Sequence, residues 1–285
     1  MNNFSYYNPT RILFGKGVIS KISRHIPKDA KVLMLYGGGS IKKNGVYEQV
    51  MQALDGYTVL EFGGIEANPD YDTLMKAVKI VRDEGVSFLL AVGGGSVIDG
   101  TKFIALAAPF VQGEPWDLIC TAVAQDLNQA VPFGAVLTLP GTGSEMNYNL
   151  VISRRKTEEK LSIKHEKVFP QFSVLDPEVS YSLPEKQVRN GLVDTFMHII
   201  EQYLTYPIGA VVQDRLSESL LQSLVEVAPR AMLMDPPDYE ARANFMWAAS
   251  LGLNTLIGRG VPQDWATHMI GHELTALYGL AHAES

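Results

Sequence analysis

What most constrains the fold of this chain is a glycine triplet at the end of an unbroken apolar run, Phe88-Leu-Leu-Ala-Val-Gly93-Gly-Gly-Ser-Val-Ile-Asp99-Gly-Thr-Lys. Apolar residues without alternation read as a strand covered on both faces, and the apolar pattern resuming near Val97 reads as a helix. Where a strand enters a helix through glycines, the missing Cβ atoms let backbone approach a pyrophosphate. The free N–H groups and partial positive charge of the helix N-terminus then stabilise its oxygens. Alone, such a triplet also describes a tight structural turn.

The same rhythm recurs. Strand-like runs at Lys31–Tyr36, Thr58–Phe62, 88–92 and 135–139 alternate with helical spacing at 47–54 and Tyr71–Glu84, and Asn68-Pro-Asp70 supplies a helix start. This predicts an α/β fold, a Rossmann-like domain with a parallel sheet whose ligands sit at the carboxyl ends of the strands. Thr138-Leu-Pro-Gly-Thr142-Gly-Ser-Glu145 offers a second glycine loop with hydroxyls for ribose or phosphate, and two loops at successive strand ends converge on one crevice. A third, Tyr36-Gly-Gly-Gly-Ser40-Ile-Lys-Lys43, ends the first strand of the sheet. There Gly38, Gly39 and Ser40, with Lys42 or Lys43 nearby, offer N–H, hydroxyl and positive charge to a 2′-phosphate, so the expected cofactor is NADP(H).

Beyond Ser182-Leu-Pro-Glu the pattern becomes helical at 187–203, 211–228, 239–256 and 264–278. A boundary near Leu175-Asp-Pro-Glu divides the chain into a dinucleotide-binding domain, 1–178, and an all-helical metal-binding domain, 179–285. Asp194 and His198 lie four apart on one helix face, His268 and His272 repeat that spacing, and His282 follows a glycine turn. Any single histidine on such a face reads as a hydrogen-bonded structural residue. Together, a carboxylate and several imidazoles make a site for one divalent ion, Zn²⁺ or Fe²⁺. His25 and His165 have no such company.

The formal net charge of −7 gives no excess of cations for nucleic acid or an anionic membrane, and no run of about 18 apolar residues spans a bilayer. Cys120 is the only cysteine, so thiolate metal sites and intramolecular disulfides are excluded and a reducing, cytoplasmic setting is expected. Its burial, with the apolar faces around Trp116, Met232 and Met234, accounts for these residues without a functional role. Segment 10–14 is β-like and could pair across a homodimer.

These stretches resemble the iron-containing, group III alcohol dehydrogenase family, above all its NADP-dependent butanol dehydrogenase and aldehyde reductase branch. The likeness runs from Arg11-Ile-Leu-Phe-Gly-Lys-Gly through the three glycine loops to Asp194-x3-His198, His268-x3-His272 and His282, nearly the whole chain. It implies that Asp194, His198, His268 and His282 hold the metal and that His272 stands beside the substrate. It places Gly94, Gly95, Ser96, Asp99, Thr138, Thr142 and Lys160 around the cofactor, with Gly38, Gly39 and Ser40 near its adenosine end. Without it, Lys160 reads as a solvated residue of a charged run. Family members continue through several helices past the last ligand, whereas Ser285 comes three residues after His282. A C-terminally truncated, incomplete helical domain is therefore expected, with His282 weakly held and apolar faces uncovered.

The implied reaction is hydride transfer between NADP(H) and a small aldehyde or alcohol, with His272 relaying the proton. Trp265, Met269, Ile270 and Leu274 around His268 favour uncharged substrates. Two other readings stand beside it: a lyase like dehydroquinate synthase, whose charged substrate calls for more Lys and Arg, and a non-catalytic nucleotide-binding fragment.

Overall fold

The computed structural model describes residues 1–121 and 127–285. Six strands form one parallel sheet: β1 (Arg11–Phe14), β2 (Lys31–Tyr36), β3 (Thr58–Phe62), β4 (Phe88–Gly94), β5 (Phe133–Leu139) and β8 (Phe172–Leu175), in the order β1-β8-β5-β4-β2-β3. A parallel sheet needs cover on both faces, and strand alternation supplies it. Leu33, Leu35, Leu89 and Ala91 point toward α2 (Tyr71–Glu84) and α3 (Gly95–Ala107). Val32, Met34, Leu90 and Val92 point the other way, toward α1 (Val46–Ala53) and the short helical turn Val18–Arg24.

The chain runs outward from β2 to β3, then returns to β4 on β2's other side and continues to β5. That reversal opens a crevice beyond the strand ends, and the glycine loops after β2 and β4 face it. β1 pairs in parallel with β8 of the same chain and forms one edge of the sheet.

A hairpin not expected from the sequence, β6 (Asn149–Arg154) with β7 (Glu159–Lys164), stands beside the crevice. The charged run is its turn, with Glu158 in a left-handed conformation. Lys160, one residue into β7, is therefore carried back into the protein and is 8 % exposed. α4 is a single turn, Asp117–Cys120, and Cys120 is exposed, contrary to the burial expected of it.

The helical half comprises α5 (Glu185–Tyr203), α6 (Val211–Ala231), α7 (Tyr239–Gly252) and α8 (Ala266–Tyr278), with its own core of Val188, Leu192, Leu224, Phe245 and Ala249. Met269, Ile270, Leu277 and Tyr278 of α8 are exposed. Among the described residues no helix is long and apolar enough to cross a membrane.

Candidate metal centre and dinucleotide crevice

Helical geometry puts Asp194, His198 and Glu201 along one buried face of α5. The Asp194 Oδ1 atom lies 3.6 Å from His198 Nε2, 3.7 Å from His268 Nε2 and 3.4 Å from His282 Nε2. All four donors fall within 4.8 Å of one another. A four-coordinate cation with bonds of about 2.1 Å spaces its donors about 3.4 Å apart. The three Asp194–imidazole separations match that spacing, and the donor chemistry suits a zinc-like or ferrous ion.

Electrostatics agree. Burial opposes ionisation of Asp194, but the His198, His268 and His282 imidazoles outweigh it and hold the carboxyl well below its usual range. Burial keeps His198 low and pulls His282 to about 4, leaving both rings neutral and able to donate a lone pair at neutral pH. His268 is also pulled down by burial, yet the Asp194 and Glu201 carboxylates reverse the sign and raise it.

Glu201 escaped the sequence reading although it lies three residues after His198 on the same face. Its Oε2 contacts His268 Nδ1, and its Oε1 accepts from the backbone N–H groups of Thr267 (2.7 Å) and His268 (3.3 Å) at the start of α8. One carboxylate thus caps α8 and fixes the ring that α8 brings to the site. Glu201→Gln is expected to lower cation affinity about 10- to 100-fold, measured by competition with a chelator. With its oxygen kept on the α8 N–H groups, the amide turns its NH₂ toward Nδ1, which moves the ring proton onto Nε2. Unchanged affinity would show that Glu201 serves α8 alone.

The turn that carries His282, expected from the sequence to be weakly held, has several anchors in the structure. Glu284 pairs with Lys186 of α5, Ser285 Oγ lies 3.1 Å from Thr275 Oγ1 and donates to the His282 carbonyl at 3.0 Å, and Asn68 Nδ2 donates to the Leu280 carbonyl at 3.1 Å. These bonds hold the turn from both halves of the molecule.

Above the ligands lies a cavity of 360 Å³, and Gly95, Ser96, Asp99, Thr142, Lys160, His198, His268, His272 and His282 all line it. Gly95 and Ser96 open α3, so the helix N-terminus faces the cavity. Gly38, Gly39, Ser40, Gly94 and Thr138 do not line it; they stand at or just beyond the ends of β2, β4 and β5. Of the two lysines expected near a 2′-phosphate, Lys42 donates to Glu61 at 3.0 Å and lies beside the Tyr36 and Tyr47 rings, so its charge is already paired, whereas Lys43 is exposed. Trp265 and Met269 line the cavity as expected, whereas Ile270 is on the outer face of α8 and neither it nor Leu274 reaches the lining.

Close approach of the halves requires glycine at one point. A Cβ on Gly191 of α5 would sit 2.3 Å from the Pro140 carbonyl, so its absence brings the loop after β5 against the metal-carrying helix. Gly141 in that loop approaches Gly191 and Asp194, and Thr142 reaches the cavity.

Beneath the cavity, the fully buried Lys102 Nζ donates to Ser144 Oγ (2.7 Å), Asn147 Oδ1 (3.0 Å) and the Asn149 carbonyl (2.6 Å). Three acceptors for three ammonium protons indicate the charged form, although burial pulls its pKa to about 8. Asp99 accepts from Ser144 Oγ (2.5 Å) and the Val151 N–H (3.0 Å); both oxygens act as acceptors, which favours the carboxylate, while burial pushes its pKa up. The sequence motif contained Lys102, but its spacing carried no sign of this role.

A Rossmann-like crevice joined to a three-imidazole, one-carboxylate cluster is the arrangement of a metal-dependent enzyme that binds a nicotinamide dinucleotide. The family model for iron-containing alcohol dehydrogenase matches residues 9–177, and that for the Fe-containing alcohol dehydrogenase family, C-terminal, matches 189–285. The chain belongs to the iron-containing alcohol dehydrogenase family. It is 57 % identical to the NADPH-dependent aldehyde reductase YqhD of Escherichia coli, over 100 % of this chain and 73 % of that protein. It is 45 % identical to the NADP-dependent alcohol dehydrogenase 3 of Entamoeba histolytica, over 100 % and 74 % of the two. The E. coli YqhD crystal structure superposes with a TM-score of 0.97 at 56 % identity, covering 99 % of this chain and 72 % of that one. These likenesses give no support to the lyase reading.

Proposed function

We propose that this protein reduces small aldehydes with NADPH, and oxidises the corresponding alcohols with NADP⁺, at a centre holding one divalent cation. One observation carries the reading: the Asp194, His198, His268 and His282 cluster and the N-terminus of α3 open onto the same cavity. The E. coli and Entamoeba relatives, named for NADPH- and NADP-dependent activities, support the choice of dinucleotide.

In this reading residues 1–178 carry the dinucleotide and 179–285 the metal ligands. Gly95, Ser96, Asp99, Thr142 and Lys160 hold the dinucleotide from within the cavity. Gly94 and Thr138 support it from the strand ends, and Gly38, Gly39 and Ser40 receive its adenosine end. When bound, the cation supplies a Lewis acid for a carbonyl oxygen and the dinucleotide supplies a hydride. Glu201 keeps the His268 ring turned so that Nε2 points at the site. Leu253, Trp265 and Met269 give the cavity an apolar wall that suits an uncharged substrate.

His272 lies one turn after His268, 6 % exposed, with its ring 5.6 Å from that of His282. Burial, reinforced by the Lys160 charge, lowers it to about 3. At neutral pH the ring therefore offers one N–H donor and one acceptor, the pattern needed to relay a proton. His272→Phe is expected to lower kcat about a hundredfold while the bound metal remains. Unchanged turnover would remove the relay role.

The central test is metal content measured alongside butanal-dependent NADPH oxidation, after chelation and after adding back Zn²⁺ or Fe²⁺. Activity lost on chelation and restored by either ion is expected. NADPH binding without metal retention or turnover would instead establish the non-catalytic nucleotide-binding reading. β1, bonded on one side to β8, leaves an edge through which two copies could extend the sheet, so a homodimer in a reducing, cytoplasmic setting is part of the proposal. Light scattering reports it directly.

A further inference from the structure

Asn68 lies in the turn between β3 and α2 and takes a left-handed backbone conformation, φ 55°, which asparagine tolerates better than most residues. Its polar groups reach three separate elements. The Asn68 N–H donates to Ser96 Oγ at 3.3 Å, its Oδ1 accepts from Lys160 Nζ at 3.0 Å, and its Nδ2 donates to the Leu280 carbonyl at 3.1 Å. Ser96 stands in the first turn of α3, Lys160 is on the hairpin, and Leu280 belongs to the turn that carries His282.

That turn leaves α8 through Gly279, φ 68°, a backbone with wide freedom. Its other anchors, Glu284 to Lys186 and Ser285 to Thr275, tie it to helices α5 and α8. Asn68 anchors it to the α/β half. Ordering a flexible turn costs conformational entropy, so a bond that orders it in advance strengthens whatever the turn then binds.

We infer that Asn68 is a positioning residue that fixes the His282 turn against the α/β half, and that cation and dinucleotide affinities are coupled through it. The coupling rests on the proposed placement of the dinucleotide at Ser96 and Lys160; the anchoring of His282 does not. A bond network that one ligand orders for the other raises each affinity when the other site is filled, by the same factor.

Asn68→Gly keeps the left-handed turn without strain and removes both side-chain bonds. The cation-free variant is expected to unfold in one cooperative transition, as the wild type does, a check on its fold. In titrations without dinucleotide its Co²⁺ dissociation constant should rise about five- to tenfold, the effect of one net hydrogen bond, and the visible absorption bands of bound Co²⁺ should shift. Asn68→Asp still accepts from Lys160 but cannot donate to Leu280. Its added negative charge favours cations, so weaker Co²⁺ binding in this variant as well isolates the Leu280 bond.

Repeating the titrations with saturating NADPH should tighten Co²⁺ binding in the wild type and much less in Asn68→Gly. Wild-type Co²⁺ affinity and spectrum in both variants would overturn the anchoring role. Equal tightening by NADPH in wild type and Asn68→Gly would overturn the coupling. Failure of the wild type to bind NADPH would overturn the placement of the dinucleotide and with it the coupling, while the dinucleotide-free titrations would still decide the anchoring.

Discussion

Asp194→Ala is expected to abolish stoichiometric cation binding and to lower kcat/KM for aldehyde reduction at least about a thousandfold, a loss of roughly 4 kcal/mol of transition-state stabilisation. Asp194 supplies the only carboxylate among the four donors. Without it three mutually close imidazoles face the site, with His198 and His268 stacked at 4.6 Å between ring centroids. Neutral donors alone offset poorly the loss of the cation's hydration in a buried place. Metal analysis after dialysis, together with initial rates, checks the result; a variant retaining one equivalent of metal would show that the imidazoles suffice.

The same residue shapes the acid response of the cation-free protein. His282 is held at about 4, below its value of about 6.5 in an unfolded chain. A depressed pKa means that its contribution is complete above about 6.5 and is lost as pH falls toward 4, because the unfolded state then binds more protons. His272, held at about 3, acts with the same sign, and His268, which is raised, opposes them. The His282 side chain is still 28 % exposed, which limits its share. Asp194 attracts a proton onto His282, so its removal deepens the loss. Denaturant titrations of chelated wild type and Asp194→Ala at pH 7 and pH 5 should show the wider gap in the variant.

Lys102→Met is expected to lower the unfolding free energy by about 3–5 kcal/mol and to raise KM for NADPH. Methionine fills similar space but donates nothing, so Asn147 Oδ1 and the Asn149 carbonyl lose their bonds to the ammonium and the Asp99 carboxylate loses its nearest cation, 3.9 Å away. The consequences reach the cavity because Asp99, Ser144, Asn147 and Asn149 all line it. Lys102→Arg should rescue little, since the side chain is fully buried and a larger planar head overpacks the site. Equilibrium denaturation gives the first number and initial rates the second. A loss below about 1 kcal/mol would mean that Asp99 takes up a proton once its partner is gone.

Much of this was legible beforehand, for reasons that differ along the chain. The buried strand β4 and the turn into α3 are written locally, in apolar residues followed by glycines, and the Asp194 and His198 spacing is a property of any helix. The β6–β7 hairpin was hidden because its turn is a run of charges that reads as solvated surface. Its second strand then buries Lys160 against Asn68, a residue 92 positions earlier. Nearness in sequence puts Ile270 and Leu274 at the substrate wall, whereas Trp265 and, on α8, Met269 and His272 are what reach the cavity. Lys42 and Lys43 read alike in the sequence, but Glu61, which pairs with Lys42, comes from the neighbouring strand.

The amino-acid sequence by itself determined the alternation of buried strands and helices, the glycines at the strand ends and the pairing of Asp194 with His198, because each depends on backbone geometry within a few residues. Tertiary structure alone decided that α5, α8 and the His282 turn bring four donors within 4.8 Å, and that Glu201, Lys102 and Asn68 hold the surroundings in place. Those distances are set by how the two halves pack around Gly191 and the loop after β5, and no local periodicity encodes the separation of side chains that meet across an interface.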